Sequence, residues 1–329
     1  MENTEPYKLY ANVEEPHKAF KKLAEEQNGS WNGEELQVHN DLFDLNLISY
    51  HYMDGLYVEF SNMATREPTY LIHEPHGDKH FIIIRIGFTG SYGKNQNTRK
   101  FNHDGIFIYN SNQQLDIEYP VQSNNHWMII RFPITDYQKI DRDPSFKLKK
   151  LFEDKSPWFQ YYSLDPEIES YVKEVHTISE NISRRRMVFF SRAIDILAAL
   201  KDKMETDEIH VPKANIHPED LKSMLLIKDQ MLFDFTVLPN LDDISKEHGM
   251  SISKLNRLFK SVYKLPVLQF FNQHKLEEAH RHIKYSDKSL TEIAFDLGFS
   301  NLGHMSRSFK SYFGYSPSYL RSSLQQQSA

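Results

Sequence analysis

No cysteine occurs in the 329 residues of the chain. That absence excludes disulfides, thiolate zinc sites, iron–sulfur clusters and cysteine nucleophiles together. Long apolar runs are missing too, with nothing near the roughly 18 consecutive residues of a membrane span. The opening Met1-Glu2-Asn3-Thr4-Glu5-Pro6 has no basic stretch followed by an apolar one, so no secretory leader is expected and the localisation reads as cytoplasmic. Disorder is excluded from the other side, because 40% of the residues are hydrophobic. A length of 329 residues suggests about two domains, each able to bury its own core.

The formal net charge of −6 hides an asymmetry. Residues 244–329 carry 12 Lys+Arg against 6 Asp+Glu, which leaves −12 on the remaining 243 residues. A basic end on an acidic chain points to a polyanionic partner for that end, or to chance clustering; charge alone does not choose.

Residues 35–132 are predicted to be β structure. Short β-branched and aromatic runs recur at 45–50, 56–60, 81–86, 105–109, 115–119 and 127–132. Turn residues such as Asp54-Gly55, Asp104-Gly105 and Asn124-Asn125 punctuate them. Many short strands of this kind point to an antiparallel sandwich or small barrel. The pattern then changes. Asp165-Pro166-Glu167 opens a helix with apolar positions Ile168, Tyr171, Val172 and Val175. A second helix is predicted over 183–204, amphipathic, with Met187, Phe190, Ile194, Leu197 and Ala198 spaced by three or four. A polar stretch at 206–217 reads as a linker, with Pro212 inside it and Pro218 just beyond, and everything after it as helical.

That helical end contains an internal near-repeat. One copy starts at Leu241 and closes on Leu258-Phe259-Lys260-Ser261-Val262-Tyr263; the other starts at Leu290 and closes on Ser308-Phe309-Lys310-Ser311-Tyr312-Phe313. The offset is 49 residues up to Ser300 and 50 by Phe309, so the second copy holds one extra residue. Each copy has the parts of a helix-turn-helix. Leu241/Ile244 and Leu290/Ile293 supply a short helix with a buried face, and Ser245 and Ala294 are small where a second helix crosses. Gly249 and Gly298 sit where the turn demands positive φ. Ser251 and Ser300 are placed to cap the next helix, and Phe259 and Phe309 to anchor it. The outer face of that helix stays polar, with Ser253, Asn256, Arg257 and Lys260 in one copy and His304, Arg307 and Lys310 in the other. A single such pattern also fits a plain helical bundle, but two copies at a fixed offset with basic second helices argue against it.

Over about residues 218–322 the sequence resembles the AraC/XylS transcription activators. The resemblance rests on both copies, on Phe271 with Lys275-Leu276-Glu277-Glu278-Ala279 between them, and on the ending Gly298-Phe299-Ser300 with Phe309 through Arg321. It implies two helix-turn-helix subdomains joined by a linker helix at 267–284, with recognition helices at 252–263 and 301–313 entering successive major grooves of double-stranded DNA. By the same resemblance Ser253, Asn256 and Arg257 face bases in the first half, and Gly303, His304 and Arg307 in the second. Asn pairs with adenine and Arg with guanine through two hydrogen bonds each. Lys260 and Lys310 fall to phosphates, which set register rather than sequence. Two positions depart from the pattern. Gly303 offers no side chain, so the second helix is expected to read fewer bases. Lys264 stands where many relatives have glycine, so the first recognition helix is expected to be capped differently.

The family usually joins this unit to a regulatory domain, often a cupin-like barrel. The strand-rich stretch suits that layout but shows no specific cupin motif. His73, Glu74, His76, His80, His103 and His126 are the candidates for a metal cluster; they lack a His-x-His pair, and structural roles are the plainer reading. Tyr50, Tyr52, Tyr57, Phe60, Phe81, Tyr109 and Trp127 either line an apolar pocket or form the core. Arg85 and Arg131, each inside an apolar run, either meet an anion within a barrel or face solvent. The triplet Arg184-Arg185-Arg186 reads as a solvated face.

The sequence reading is thus a mixed α+β, multidomain chain. A cupin-like β-barrel or sandwich is expected at 1–140, a helical dimerisation or signal-transfer segment at 141–205, the linker at 206–217 and the double helix-turn-helix unit at 218–329. Its function is expected to be that of a sequence-specific transcription regulator, with RNA polymerase, a small-molecule effector and a second copy of itself as further partners, and with no membrane. No catalytic residue, cofactor or metal is assigned. The rivals are a cupin-type metalloenzyme fused to a DNA-binding domain, and a constitutive dimeric regulator without a ligand.

Overall fold

The computed structural model describes residues 7–12, 14–75, 79–89, 105–119, 121, 124–142, 149–164, 166–178, 181–206 and 216–327. His76, His103, Asp104, Asp165 and most of the expected linker lie outside the described residues. The architecture is mixed α+β in two compact units. Described residues up to Lys222 form the first, those from Ser223 onward the second.

The first unit begins with β1 (Tyr7–Tyr10), α1 (Pro16–Glu26), β2 (Ser30–Trp31) and β3 (Glu35–His39). The strands β4 (Phe43–Tyr52), β5 (Leu56–Thr65), β6 (Thr69–His73), β7 (Phe81–Thr89), β8 (Gly105–Asn110), β9 (Leu115–Tyr119) and β10 (Asn124–Pro133) follow. After α2 (Ile134–Ile140) and α3 (Lys149–Glu153) come β11 (Phe159–Tyr162), α4 (Pro166–Ile178) and α5 (Ile182–Thr206). One sheet has the order β1-β6-β9, the other β11-β8-β7-β10-β5-β4-β3-β2. Every ladder is antiparallel except β1 with β6. Because β11 pairs with β8, the sheet takes in residues well beyond 140.

Both faces of the larger sheet are covered. One carries Glu59, Ile83, Arg85, Ile129 and Arg131, which line an internal cavity together with Leu71 and His73 of the smaller sheet. The other carries Tyr50 and Phe60, whose rings meet Phe189 of α5 edge-on at 5.3 and 6.5 Å. Double coverage is why 81–86 and 127–132 read as nearly unbroken apolar runs instead of alternating ones. It also settles the two arginines: Arg85 and Arg131 are buried and face the cavity, not solvent.

Helix α5 corrects the sequence reading twice. Its buried face is Arg185, Val188, Phe189, Ala193, Ile196, Leu197 and Leu200, whereas Met187 is 72% exposed and Ala198 is exposed. Both sets obey three- and four-residue spacing, and the docking of Phe189 on the sheet selects between them. The basic triplet is a solvated face only in part: Arg184 and Arg186 are exposed, but Arg185 is not. Arg185 is buried, with its Nε donating to the Tyr50 hydroxyl at 2.7 Å and its guanidinium paired with Glu35. Arg186 pairs with Glu34 at 2.6 Å and donates to the His51 carbonyl at 2.9 Å.

The unit boundary falls inside α6 (Pro218–Leu232). Then come α7 (Leu241–Glu247), α8 (Ile252–Tyr263), α9 (Val267–Tyr285), α10 (Leu290–Asp296), α11 (Leu302–Phe313) and α12 (Pro317–Gln327). The long α9 packs against α8 on one side and against α10, α11 and α12 on the other. Phe259, Tyr263 and Phe270 form one aromatic core, with ring centres 4.4 to 5.2 Å apart. Phe309, Phe313 and His280 form a second, with Phe309 and Phe313 4.5 Å apart.

Candidate nucleic-acid interface

Two helix pairs, α7–α8 and α10–α11, are built alike from local chemistry. Asn240 caps α7 by accepting from Asp242 N at 3.0 Å. Ser289 and Glu292 cap α10 reciprocally, each side chain bonded to the other's backbone N–H at 3.2 and 2.7 Å. Hydrogen bonding to Ser289, through its side chain first and its backbone N–H second, holds the Glu292 carboxyl below its ordinary pKa.

The turns match bond for bond. Gly249 N–H donates to Lys246 O at 3.2 Å and Met250 N–H to Ser245 O at 2.9 Å. Gly298 N–H donates to Phe295 O and Phe299 N–H to Ala294 O, both at 2.9 Å. This paired return is the motif that closes a helix with a left-handed residue, and Gly249 and Gly298 have φ of 61° and 65°. They differ in surroundings. A Cβ on Gly249 would meet nothing within 4 Å, whereas one on Gly298 would lie 2.7 Å from Thr236 Cα and 3.0 Å from Phe235 O.

The caps of the second helices differ, and here the sequence reading is corrected. Ser251 caps α8, its Oγ accepting from Lys254 N at 3.2 Å. In the second pair Asn301, not Ser300, is the cap, accepting from His304 N at 2.8 Å. The extra residue lengthens this turn by one, so Ser300 comes a position too early and its Oγ meets His304 Nδ1 at 3.1 Å instead. A second correction concerns Lys264. It takes φ of 64° and donates its N–H to Lys260 O at 2.9 Å, just as Gly314 at 82° donates to Lys310 O at 2.9 Å. The two ends are capped in the same conformation, lysine bearing the strain that glycine avoids.

On α8, Leu255, Phe259, Val262 and Tyr263 are buried, which turns Ser253, Arg257 and Lys260 outward, with Asn256 half-buried beside them. On α11, Met305 and Phe309 are buried while Gly303, His304, Arg307 and Lys310 are exposed. All the sequence-assigned residues except the half-buried Asn256 therefore lie exposed on the outer face of their helix. A Cβ on Gly303 would come 3.2 Å from the capping Asn301 Oδ1 and 3.6 Å from Arg307 Nη1. Arg307 thus reaches back over the bare glycine.

Two residues behind these faces escaped assignment from sequence. Lys275 of α9 donates its Nζ to Gly298 O at 2.9 Å and stands 4.7 Å from the Phe299 ring centre, and burial lowers its pKa. His280 of α9 meets the Tyr315 hydroxyl at 3.1 Å, and burial lowers its pKa to about 4. A lysine and a histidine among the apolar positions of α9 were the available signal.

The described candidates His73, His80 and His126 each bond elsewhere. His73 Nε2 meets Ser111 O at 3.2 Å, His80 Nε2 meets Phe152 O at 2.8 Å, and His126 bonds Asn62. Among the described residues no group of three or more His, Asp or Glu is placed to hold a metal ion. None of the described helices is long and apolar enough to cross a membrane.

Paired helices with capped ends, glycine turns and exposed polar second helices define a helix-turn-helix unit, and a family model described as a helix-turn-helix domain matches residues 244–323. Over 78 residues the chain is 33% identical to the HTH-type transcriptional regulator ExsA of Pseudomonas aeruginosa, covering 24% of this chain and 28% of that protein. It is 32% identical over 135 residues to the transcriptional activator NphR of a Rhodococcus species, covering 40% and 38%. The HTH-type transcriptional activator RhaS of Escherichia coli is 30% identical over 82 residues, covering 25% and 30%. The match thus spans between 28% and 38% of these relatives' own length. Residues 244–323 carry a helix-turn-helix domain.

Proposed function

We propose that the protein is a sequence-specific DNA-binding transcription regulator whose β unit, read as a cupin-like barrel, senses an effector. The observation that carries this reading is the pair of like-built helix pairs flanking α9, each turning an exposed arginine and lysine outward. The net positive charge of residues 244–329 supports it, as does the match to a helix-turn-helix domain. In this reading Ser253, Asn256 and Arg257 read one major groove and His304 and Arg307 the next. Lys260 and Lys310 bind phosphates. The internal cavity of the β unit supports the sensing role. RNA polymerase and a second copy of the chain are the further partners proposed.

Selection of binding sites from random double-stranded DNA by the full chain tests the reading. Two short conserved blocks about 10 base pairs apart are expected. Affinity should fall steeply with salt as phosphate contacts release counterions. Recovery of no common sequence would overturn it.

A further inference from the structure

We propose that the cavity of the β unit binds an organic monocarboxylate with an apolar body, and that Arg85 anchors its carboxylate. This deepens the sensing role proposed above and rests on it for its biological meaning.

The cavity measures about 470 Å³, room for a small organic molecule. Leu36, Leu45, Leu47, Met63 and Ile129 supply apolar wall. Exposed Lys18 and Lys22 of α1 stand at its rim, so it opens to solvent beside that helix.

The charges inside do not cancel. In the central ladder Ile129 is flanked by Glu59 on β5 and by Arg85 on β7. Glu59 is taken: it pairs with Arg131 and accepts from Ser49 Oγ at 3.1 Å, while Arg131 also donates to Asn12 O at 3.1 Å. Arg85 is 6% exposed and has no carboxylate partner among the described residues. Its guanidinium lies 4.8 Å over the Trp127 ring, its Nη2 reaches the Tyr119 hydroxyl only at 3.4 Å, and its Nε finds no acceptor. Burial raises the pKa of the Tyr109 and Tyr119 phenols, so neither is the missing anion near neutral pH.

An isolated buried cation is costly, and buried charges are as a rule paired. One uncompensated charge calls for one negative charge. A phosphate dianion would overshoot it, and a neutral sugar would leave it unmet. A carboxylate matches the planar fork of a guanidinium, and the apolar wall takes the rest of the molecule.

Calorimetry on the full chain tests this with decanoate and 3-phenylpropionate, against 1-decanol and decyl phosphate. At least one carboxylate should bind with one-to-one stoichiometry. Decanol and decyl phosphate should bind at least tenfold more weakly than decanoate. Arg85→Met should weaken the carboxylate at least tenfold, about 1.4 kcal/mol. Binding by neither carboxylate, equal binding of decanoate and decanol, or unchanged affinity in Arg85→Met would each overturn the proposal. If Arg85→Met does not fold, Met63→Phe keeps the arginine and narrows the cavity; undiminished decanoate binding there would overturn it too. DNA retention by the same preparations separates the two readings. Retention without carboxylate binding ends this proposal alone, and carboxylate binding without retention ends only the regulator reading.

Discussion

The ammonium of Lys275 donates to the carbonyl oxygen of Gly298 at 2.9 Å, bonding the central helix α9 to the turn that aims α11. The same ammonium lies against the Phe299 ring, the residue after that glycine. The orientation of the second outward face is thus held by a charge from a neighbouring helix. Lys275→Met keeps the apolar stem but leaves the carbonyl without this donor, at a cost of about 1–3 kcal/mol. Hydrogen exchange over residues 298–304 should quicken, and unchanged protection there would show that the bond does not hold the turn.

The two turn glycines should respond unequally. Gly249→Ala bears the penalty of a left-handed alanine, about 1–2 kcal/mol. Gly298→Ala bears that and a Cβ driven to 2.7 Å from Thr236 Cα, a backbone atom that cannot swing away. A further 1–3 kcal/mol or so is expected from such overpacking. Chemical denaturation of the two variants compares them directly, and equal losses would contradict the geometry.

Lys264 is a site for stabilisation. It already holds the left-handed conformation of its counterpart Gly314. Lys264→Gly removes the strain but loses more chain entropy on folding, for a net gain of up to about 1 kcal/mol. Gly314→Lys should lose a similar amount. The melting temperatures of both variants check this, and a fall for Lys264→Gly would show that the lysine side chain stabilises its site by more than the strain costs.

Acid should weaken the second helix pair through His280. Its folded-state pKa, about 4, lies below the ordinary 6.5, since burial and the nearby Lys284 and Arg281 oppose its charge and Glu277 only partly offsets them. The unfolded chain therefore binds the extra proton between these values, and stability falls as pH drops from about 6.5 to about 4. Allowing for partial screening by solvent, the loss is on the order of 2 kcal/mol. Above pH 6.5 the imidazole is neutral in both folded and unfolded chains, and the effect disappears. His280→Phe should flatten that part of the pH–stability profile, and an unaltered profile would place the titration elsewhere.

The two proposed recognition helices should separate by mutation. Arg257→Ala is expected to relax sequence preference in one half-site by roughly 1–3 kcal/mol, and Arg307→Ala in the other. Lys260→Ala should weaken all sequences about equally and reduce the salt dependence. Because Gly303 has no side chain, the second half-site should be the more degenerate in the wild type. If Arg257→Ala and Arg307→Ala disturb the same base pairs, the two helices do not read separate grooves.

What the sequence determined by itself is what depends on neighbours a few residues away. The glycine turns at Gly249 and Gly298, the cap at Ser251 and the bounds of α8 follow from contacts within about one helical turn, so a repeat in sequence becomes a repeat in structure. The strand runs at 81–86 and 127–132 were legible because short runs of β-branched and aromatic residues, each broken by a single arginine, have few alternatives. The tertiary structure decided the rest. Spacing alone allowed α5 two apolar faces, and contact with Tyr50 and Phe60 chose the one bearing Phe189 and Arg185. One inserted residue moved the α11 cap from Ser300 to Asn301, a shift visible only once the helix start is known. The charges are the clearest case. Arg131 is matched by Glu59, which stands 72 residues away in the chain, whereas Arg85, two ladder positions across on the same face, meets no carboxylate among the described residues. Which arginine is paired depends on strand register, and register joins residues whose separation along the chain carries no signal.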